Sequence, residues 1–227
     1  MAKHQLDNEY IVNSFLDQNN IIPRYERKFR STIHSNTFVN GYLAQLGFFQ
    51  EHPQRLVNTL YFDTINFKFA IDNINGTRYR IKPRLRWYDE LSSRRSSGTK
   101  LEYKIKDGFL GYKFLSETSL IDVQSAIENR LGVVGLPTIE TNYKRVYLKN
   151  MDGIRATIDY DISASVFSKS SKKKYSLDYE VVEFKYDINL DRYFREILFM
   201  RINQYPLFRL NKSSKYIEGL LTCQLEF

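Results

Sequence analysis

The stretch Arg78 to Tyr88, RYRIKPRLRWY, decides how the rest of the chain is read. Successive side chains of an extended strand point to opposite faces. Arg80, Lys82, Arg84, Arg86 and Tyr88 therefore share one side, and Tyr79, Ile81, Pro83, Leu85 and Trp87 the other. A single strand of this kind can be a half-solvated one with a basic outer face, but the pattern recurs. In Leu101 to Lys106, Glu102, Lys104 and Lys106 oppose Leu101, Tyr103 and Ile105; in Tyr25 to Arg30, Glu26, Lys28 and Arg30 oppose Tyr25 and Phe29. Glu140 to Lys149 sets Tyr143, Arg145 and Tyr147 against Val146 and Leu148. Ile154 to Val166 alternates Arg155, Thr157, Asp159 and Asp161 with Ile154, Ala156, Ile158 and Tyr160, and Leu177 to Asp187 sets Glu183 and Lys185 against Val182, Phe184 and Tyr186.

Like charges directly across neighbouring strands repel, so a sheet with these cations on one face loses stability unless an anion sits among them. About eight two-faced strands are not accounted for by an open sheet resting on helices. Closing them into a barrel puts the charged faces around a water-filled lumen and the aromatic faces outward, under helices. The expected fold class is thus α+β, a closed antiparallel β-tunnel of about eight strands with helices packed outside, and the expected ligand is a polyanion.

Composition agrees with that architecture. At 227 residues and 42% hydrophobic content the chain can bury one core. It shows no internal repeat and no linker, so residues 1–227 are expected to form a single domain. The formal net charge is +8. The candidate binding face holds thirteen cations: Lys28, Arg30, Arg80, Lys82, Arg84, Arg86, Lys104, Lys106, Arg145, Arg155, Lys185, Lys212 and Lys215. It also holds four carboxylates, Glu26, Glu102, Asp159 and Glu183, giving a net of +9 and leaving about −1 for the remainder. Cys223 is the only cysteine, which rules out an internal disulfide. The first twenty residues have no signal-type apolar core, and no run of about eighteen apolar residues occurs. The expectation is a cytoplasmic protein with no membrane span, compatible with a membrane-bound partner.

Around the strands, helical spacing is expected over 7–20, after a cap at Ser35 or Asn36 with Phe38, Tyr42, Leu46 and Phe49 facing inward, over 119–131 up to Gly132, from Leu190 to about Ile202, and over 213–223. Leu56 to Asp63 reads as a strand, 64–75 as a short link, 89–98 as a polar loop and 168–174 as a charged hairpin tip.

Arginines offer planar forks and lysines point charges for phosphate oxygens. Carboxylates on the same faces weaken an anion site unless a divalent cation bridges carboxylate and phosphate. For Glu26 and Glu102 an internal salt bridge is the other reading; Glu183 is read as a metal ligand. Other chemistries find no support. There is no glycine-rich phosphate loop, no cysteine pair for zinc, no metal-ligand spacing among His4, His34 and His52, and no nucleophilic triad. Tyr79, Trp87 and Tyr103 fall on the apolar side, away from the cations, so a nucleic acid partner is not expected.

Several short motifs occur in one order along the chain: Tyr25-Glu26-Arg27-Lys28, Leu60-Tyr61-Phe62-Asp63-Thr64, Arg84-Leu85-Arg86-Trp87-Tyr88, Glu102-Tyr103-Lys104, Asn142-Tyr143-Lys144-Arg145, Arg155 with Asp159, Glu183-Phe184-Lys185 and Ser213-Ser214-Lys215-Tyr216. In these the chain resembles the VTC domain, the polyphosphate polymerase branch of the triphosphate tunnel metalloenzyme (CYTH-like) superfamily. The resemblance implies a tunnel that binds ATP and polyphosphate or triphosphate. Lys28, Arg84, Arg86, Lys104, Arg145, Arg155 and Lys215 would be the phosphate ligands of the catalytic centre. Tyr143, Lys212 and Ser214 are weaker matches, joining Glu26, Lys82, Glu102, Lys106 and Lys185 on the substrate-binding wall. Glu183 would hold Mn²⁺ or Mg²⁺. The implied reaction moves the γ-phosphoryl group of ATP to the end of a growing polyphosphate chain. The alternatives are a tripolyphosphate or nucleoside-triphosphate hydrolase of the same fold and a non-enzymatic polyphosphate-binding module.

Overall fold

A computed structural model describes residues 7–17, 24–32, 35–88, 99–116, 122–168, 173–204 and 207–224. The loop expected at 89–98, most of the tip expected at 168–174, His4 and His34 lie outside the described residues.

Helix α1 (Asn8–Leu16) begins at Asp7, whose carboxylate accepts from the backbone N–H groups of Glu9 and Tyr10. Strand β1 (Arg24–Ser31) follows, then α2 (Asn36–Gln45), capped by the Ser35 hydroxyl, which accepts from Phe38 N–H. Next come β2 (Phe49–Asp63), α3 (Lys68–Ile74), β3 (Tyr79–Tyr88), β4 (Lys100–Asp107), β5 (Leu110–Ser116) and α4 (Val123–Leu131). Gly132 ends α4 at φ 70°, the left-handed conformation that favours glycine. Strands β6 (Leu136–Lys149), β7 (Arg155–Val166), β8 (Tyr175–Leu177) and β9 (Val181–Asp187) lead into α5 (Asp191–Tyr193), a π-helical turn (Phe194–Leu198) and α6 (Phe199–Ile202). Strand β10 (Phe208–Leu210) and α7 (Lys215–Thr222) complete the order.

Pairing closes the sheet on itself. The path β1-β5-β4-β3-β2-β6-β7 is continuous and antiparallel, and β9 pairs with both β7 and β1. Eight strands thus form a ring, with β8 and β10 as short additions to β7 and β1. The seams are unequal: β1 meets β9 over seven residue pairs and β5 over only Arg24↔Gly111 and Tyr25↔Leu110.

The outward faces carry the core. Ile81, Leu85, Trp87, Leu101, Tyr103 and Ile105 pack under α1 and α4, and Phe29, Ile158, Val182 and Phe184 pack under α2 and the helical run 191–202. Two expectations need correction. On α2 the buried residues are Val39, Tyr42 and Leu43, while Phe38 is 50% and Phe49 49% exposed. The helix stops at Gln45, so Phe49 belongs to the next strand and the inward stripe is turned by one position. Strand β2 begins at Phe49 rather than Leu56. Its first half is exposed and its pairing to β6 shifts register around His52, which breaks the alternation that marks a strand.

Helix α7 lies across one end of the ring on its inner side. Gly219 allows this: a Cβ there would come within 2.5 Å of Ile139 Cδ1 and 3.2 Å of Ala164 Cβ. Tyr216 stacks on Tyr61 at 4.8 Å, and its hydroxyl donates to Asp63 Oδ2 at 2.6 Å. The same Asp63 accepts from the N–H groups of Thr64, Phe69 and Ala70 at the start of α3, so one buried carboxylate ties β2, α3 and α7 together.

Candidate functional site: a cationic lumen

Residues opposite one another in register share a face, so the ladders trace the lining directly. Lys28 opposes Glu183 and Glu26 opposes Lys185. Thr157 also opposes Glu183, Arg145 opposes Asp159, Thr59 opposes Arg86, Tyr61 opposes Arg84, and Arg84 opposes Glu102. The alternate cations of five strands therefore meet inside the ring, and α7 brings Lys215 to them.

Three ionic groups organise the lumen. In the first, Glu102 accepts from Arg84 Nε at 2.9 Å, with Arg84 Nη2 at 2.7 Å, Arg86 Nη1 at 3.5 Å and Lys113 Nζ at 3.4 Å. Burial opposes ionisation of Glu102, but Arg84 and Arg86 outweigh it and hold the carboxyl well below its usual range. Arg86 also donates to the hydroxyls of Thr59 at 3.3 Å and Tyr143 at 3.2 Å. In the second group, Asp159 takes a two-pronged contact from Arg145 at 2.6 and 2.7 Å and a third bond from Lys215 at 2.6 Å. It too stays ionised against burial because of those two cations.

The third group is the least neutralised. Lys104 Nζ lies 2.7 Å from Glu26 Oε2 and 3.8 Å from Glu183 Oε1; Lys106 is 3.5 Å from Glu26, and Lys185 is 3.1 Å from Glu183 Oε2. Lys28 sits 4.0 Å from Glu183 and donates to the Ser213 carbonyl at 3.1 Å. Burial, offset only partly by Glu26 for Lys106 and by Glu183 for Lys185, lowers both ammonium pKa values to about 8. Among the described residues Lys82 has only the Ser214 hydroxyl, at 3.0 Å, and burial together with Lys28 and Lys104 pushes it well below the ordinary lysine value. Across the three groups, ten cations among the described residues (Lys28, Lys82, Arg84, Arg86, Lys104, Lys106, Lys113, Arg145, Lys185 and Lys215) face four carboxylates (Glu26, Glu102, Asp159 and Glu183). The surplus is what an anion would neutralise.

Two lumen carboxylate oxygens, Glu26 Oε2 and Glu183 Oε1, are buried and make no hydrogen bond among the described residues, their contacts with Lys104 at 2.7 and 3.8 Å being ionic ones. Among the described residues no three His, Cys, Asp or Glu side chains converge. The protein alone therefore offers no closed cage, but a hard divalent cation held by one or two carboxylates and completed by water and phosphate oxygens suits this donor set.

Other expected residues stand apart. Arg155 opposes Lys185 in register but is exposed at the rim, with no hydrogen bond or ion pair among the described residues. Lys212 is likewise exposed. Arg30 is drawn to Glu218 of α7 and lies 4.2 Å from the Tyr179 ring, while Arg80 is bound to the carbonyls of Thr77 and Gly108. Asp161 leaves the lumen face: it adopts φ 49° at a register shift in β7 and pairs with the exposed Lys144. The sequence reading missed Thr59, Tyr61 and Lys113. Strand β2 is buried on both faces from Val57 to Asp63, so no polar alternation marks its inner side.

The family model for the VTC domain matches residues 7–134, more than half of the chain. The chain belongs to the VTC domain family. The matched part of this VTC domain carries Glu26, Lys28, Arg84, Arg86, Glu102 and Lys104; Arg145, Glu183 and Lys215 come from beyond it. A comparison with curated proteins gives no match. Among solved structures, one similar to it is a protein from Pyrococcus horikoshii (11% identity, 87% of this chain and 98% of that one, TM-score 0.51). Another is a candidate adenylyl cyclase from Hippeastrum reported to have a dominant triphosphatase activity (13%, 86% and 93%, 0.51). A third is a candidate adenylate cyclase from Vibrio parahaemolyticus (13%, 86% and 97%, 0.53). At these identities the likeness is one of fold, and the VTC domain has the triphosphate tunnel architecture. Among the described residues no helix is long and apolar enough to cross a membrane.

Proposed function

We propose that the lumen binds a chain of phosphates and that the protein is a polyphosphate polymerase, transferring the γ-phosphoryl group of ATP to the end of a polyphosphate chain. The observation that carries this reading is the unneutralised cationic surplus on the inner face of a closed ring, in a domain of the VTC family. Phosphoryl transfer needs mainly alignment and charge neutralisation, and a terminal phosphate oxygen attacks without a strong base. Arg84, Arg86 and Arg145 supply forks, and Lys28, Lys104 and Lys215 supply point charges that hold donor and acceptor in line. Arg155 and Lys212 extend the cationic surface at the rim. Glu183, with Glu26 beside it, would hold a divalent ion, Mn²⁺ or Mg²⁺, whose chemistry there would be to neutralise charge on the phosphate oxygens. Residues 1–227 act as one unit, placed in the cytoplasm.

A second reading is hydrolysis of tripolyphosphate or a nucleoside triphosphate. It is favoured by α7, which packs Gly219 closely against Ile139 and Ala164 on the inner side of the ring and so narrows that end of the lumen, and by the activity reported for the Hippeastrum protein. Incubation with ATP and Mn²⁺ separates the two. Long phosphate chains on a gel support the polymerase; orthophosphate as the sole product overturns it in favour of the hydrolase.

A further inference from the structure

The rim of the lumen beside Arg145 carries aromatic side chains that phosphate binding leaves unused. Tyr88 ends the inner face of β3 opposite Val57, which on its other side opposes Tyr143; Tyr147 lies two residues beyond Arg145 on β6. Both Tyr88 and Tyr147 are half-buried, unlike the outer-face aromatics Trp87 and Phe184, which are sealed under helices. The Arg55 guanidinium lies 5.7 Å from the Tyr88 ring centroid. Arg145 is 6.0 Å from the ring of Tyr147 and 5.2 Å from that of Tyr143, and His52 meets Tyr147 edge-on at 6.0 Å. The Tyr147 hydroxyl makes no hydrogen bond among the described residues. One side chain, Arg145, thus borders both the ionic lumen and these rings.

We propose that Tyr88 and Tyr147, flanked by Arg55, form a stacking platform for the base of a nucleoside triphosphate whose phosphates lie against Arg145 and Arg86. The proposal rests on the phosphate-binding reading of the lumen. A phosphate chain gains nothing from a ring face, whereas a flat heterocycle gains from a π surface edged by guanidinium groups. The platform tolerates different bases, because stacking reads the face of a base and not its edge. Its consequence is preference: a nucleoside triphosphate binds more tightly than the same phosphates without a nucleoside.

Calorimetry on the intact chain, with magnesium present, tests this with two probes, a β,γ-imido analogue of ATP and bare imidotriphosphate. Tyr147→Ala and Tyr88→Ala are expected to weaken the nucleotide analogue about tenfold each and imidotriphosphate less than twofold, with Tyr147→Phe restoring nucleotide affinity. If Tyr147→Ala does not fold, Tyr147→Leu keeps apolar bulk without a ring face and carries the same comparison. Equal weakening of both probes, or nucleotide affinity unchanged by either substitution, overturns the platform while leaving the phosphate site standing. Failure of imidotriphosphate to bind the unsubstituted protein overturns the phosphate reading itself.

Discussion

At the scale of single residues, the buried counterions determine what a substitution does. Cations inside a like-charged cluster are expected to be dispensable for folding, but Arg84 is the nearest partner of Glu102, which is 2% exposed. Arg84→Ala is therefore expected to weaken tripolyphosphate binding at least tenfold and to cost about 1–3 kcal/mol of stability, less than a fully broken pair because Arg86 and Lys113 remain. Calorimetry and thermal melts check the two effects, and a melt unchanged from the parent would show that Glu102 does not depend on Arg84. The buried lysines make affinity and stability respond to pH in opposite ways. Lys106 and Lys185 titrate near 8 when folded and near 10.5 when unfolded, so between those values the unfolded chain binds more protons and stability rises with pH. Tripolyphosphate affinity, if the lumen takes phosphates as proposed, needs the charged ammonium groups and is expected to fall over the same range. Binding measured from pH 7 to 9.5 should show that fall, and Lys106→Arg with Lys185→Arg should flatten it. On the acid side Glu26, Glu102, Asp159 and Glu183 are all lowered, so their contribution disappears as pH drops below about 4.5. The lining was largely legible from alternation, since Lys28, Lys82, Arg84, Arg86, Lys104, Lys106, Glu183 and Lys185 do share a face. Which cation neutralises which carboxylate was not, because that depends on spacing across strands distant in sequence.

At the scale of elements, α7 deserves a substitution of its own. Gly219→Ala would gain helix propensity of about 1 kcal/mol, yet its methyl would meet Ile139 Cδ1, which can rotate, and Ala164 Cβ, which cannot. A net loss of about 1 kcal/mol is expected, with faster amide exchange confined to residues 215–222; unchanged exchange there would refute the close seat. Tyr216→Phe removes the hydrogen bond to Asp63 and should cost about 1–2 kcal/mol, read by denaturant titration. Helix α7 was foreseen from its start signals, but its place inside the ring was not. Its apolar stripe reads the same whether it packs on the outside of a sheet or across the end of a lumen. The misplaced inward face of α2 has a similar origin, since Phe38 and Val39 compete for one stripe and only the partner surface decides between them.

At the scale of the whole molecule, charge and closure are linked. A ring with ten inward cations against four carboxylates among the described residues is strained by its own field, so a bound polyanion should stabilise it markedly. Tripolyphosphate at a hundred times its dissociation constant is expected to add about 2.7 kcal/mol, a rise of roughly 5–10 °C in Tm for a chain of this size, and to add less at high salt. A melt insensitive to tripolyphosphate would count against an internal site. The β1–β5 seam, two pairs wide, should show the fastest exchange among the ring's junctions. The β1–β9 seam has a different consequence. It joins residues 24–30 to residues 181–187, partners among the most remote in the chain, and no local segment can assemble it alone. The circle is completed only when distant ends meet, a high contact order that slows folding, and until then the basic ribbons repel one another across open water. A short polyphosphate present during refolding would act as a mandrel, drawing the ribbons round itself before the last seam is sewn.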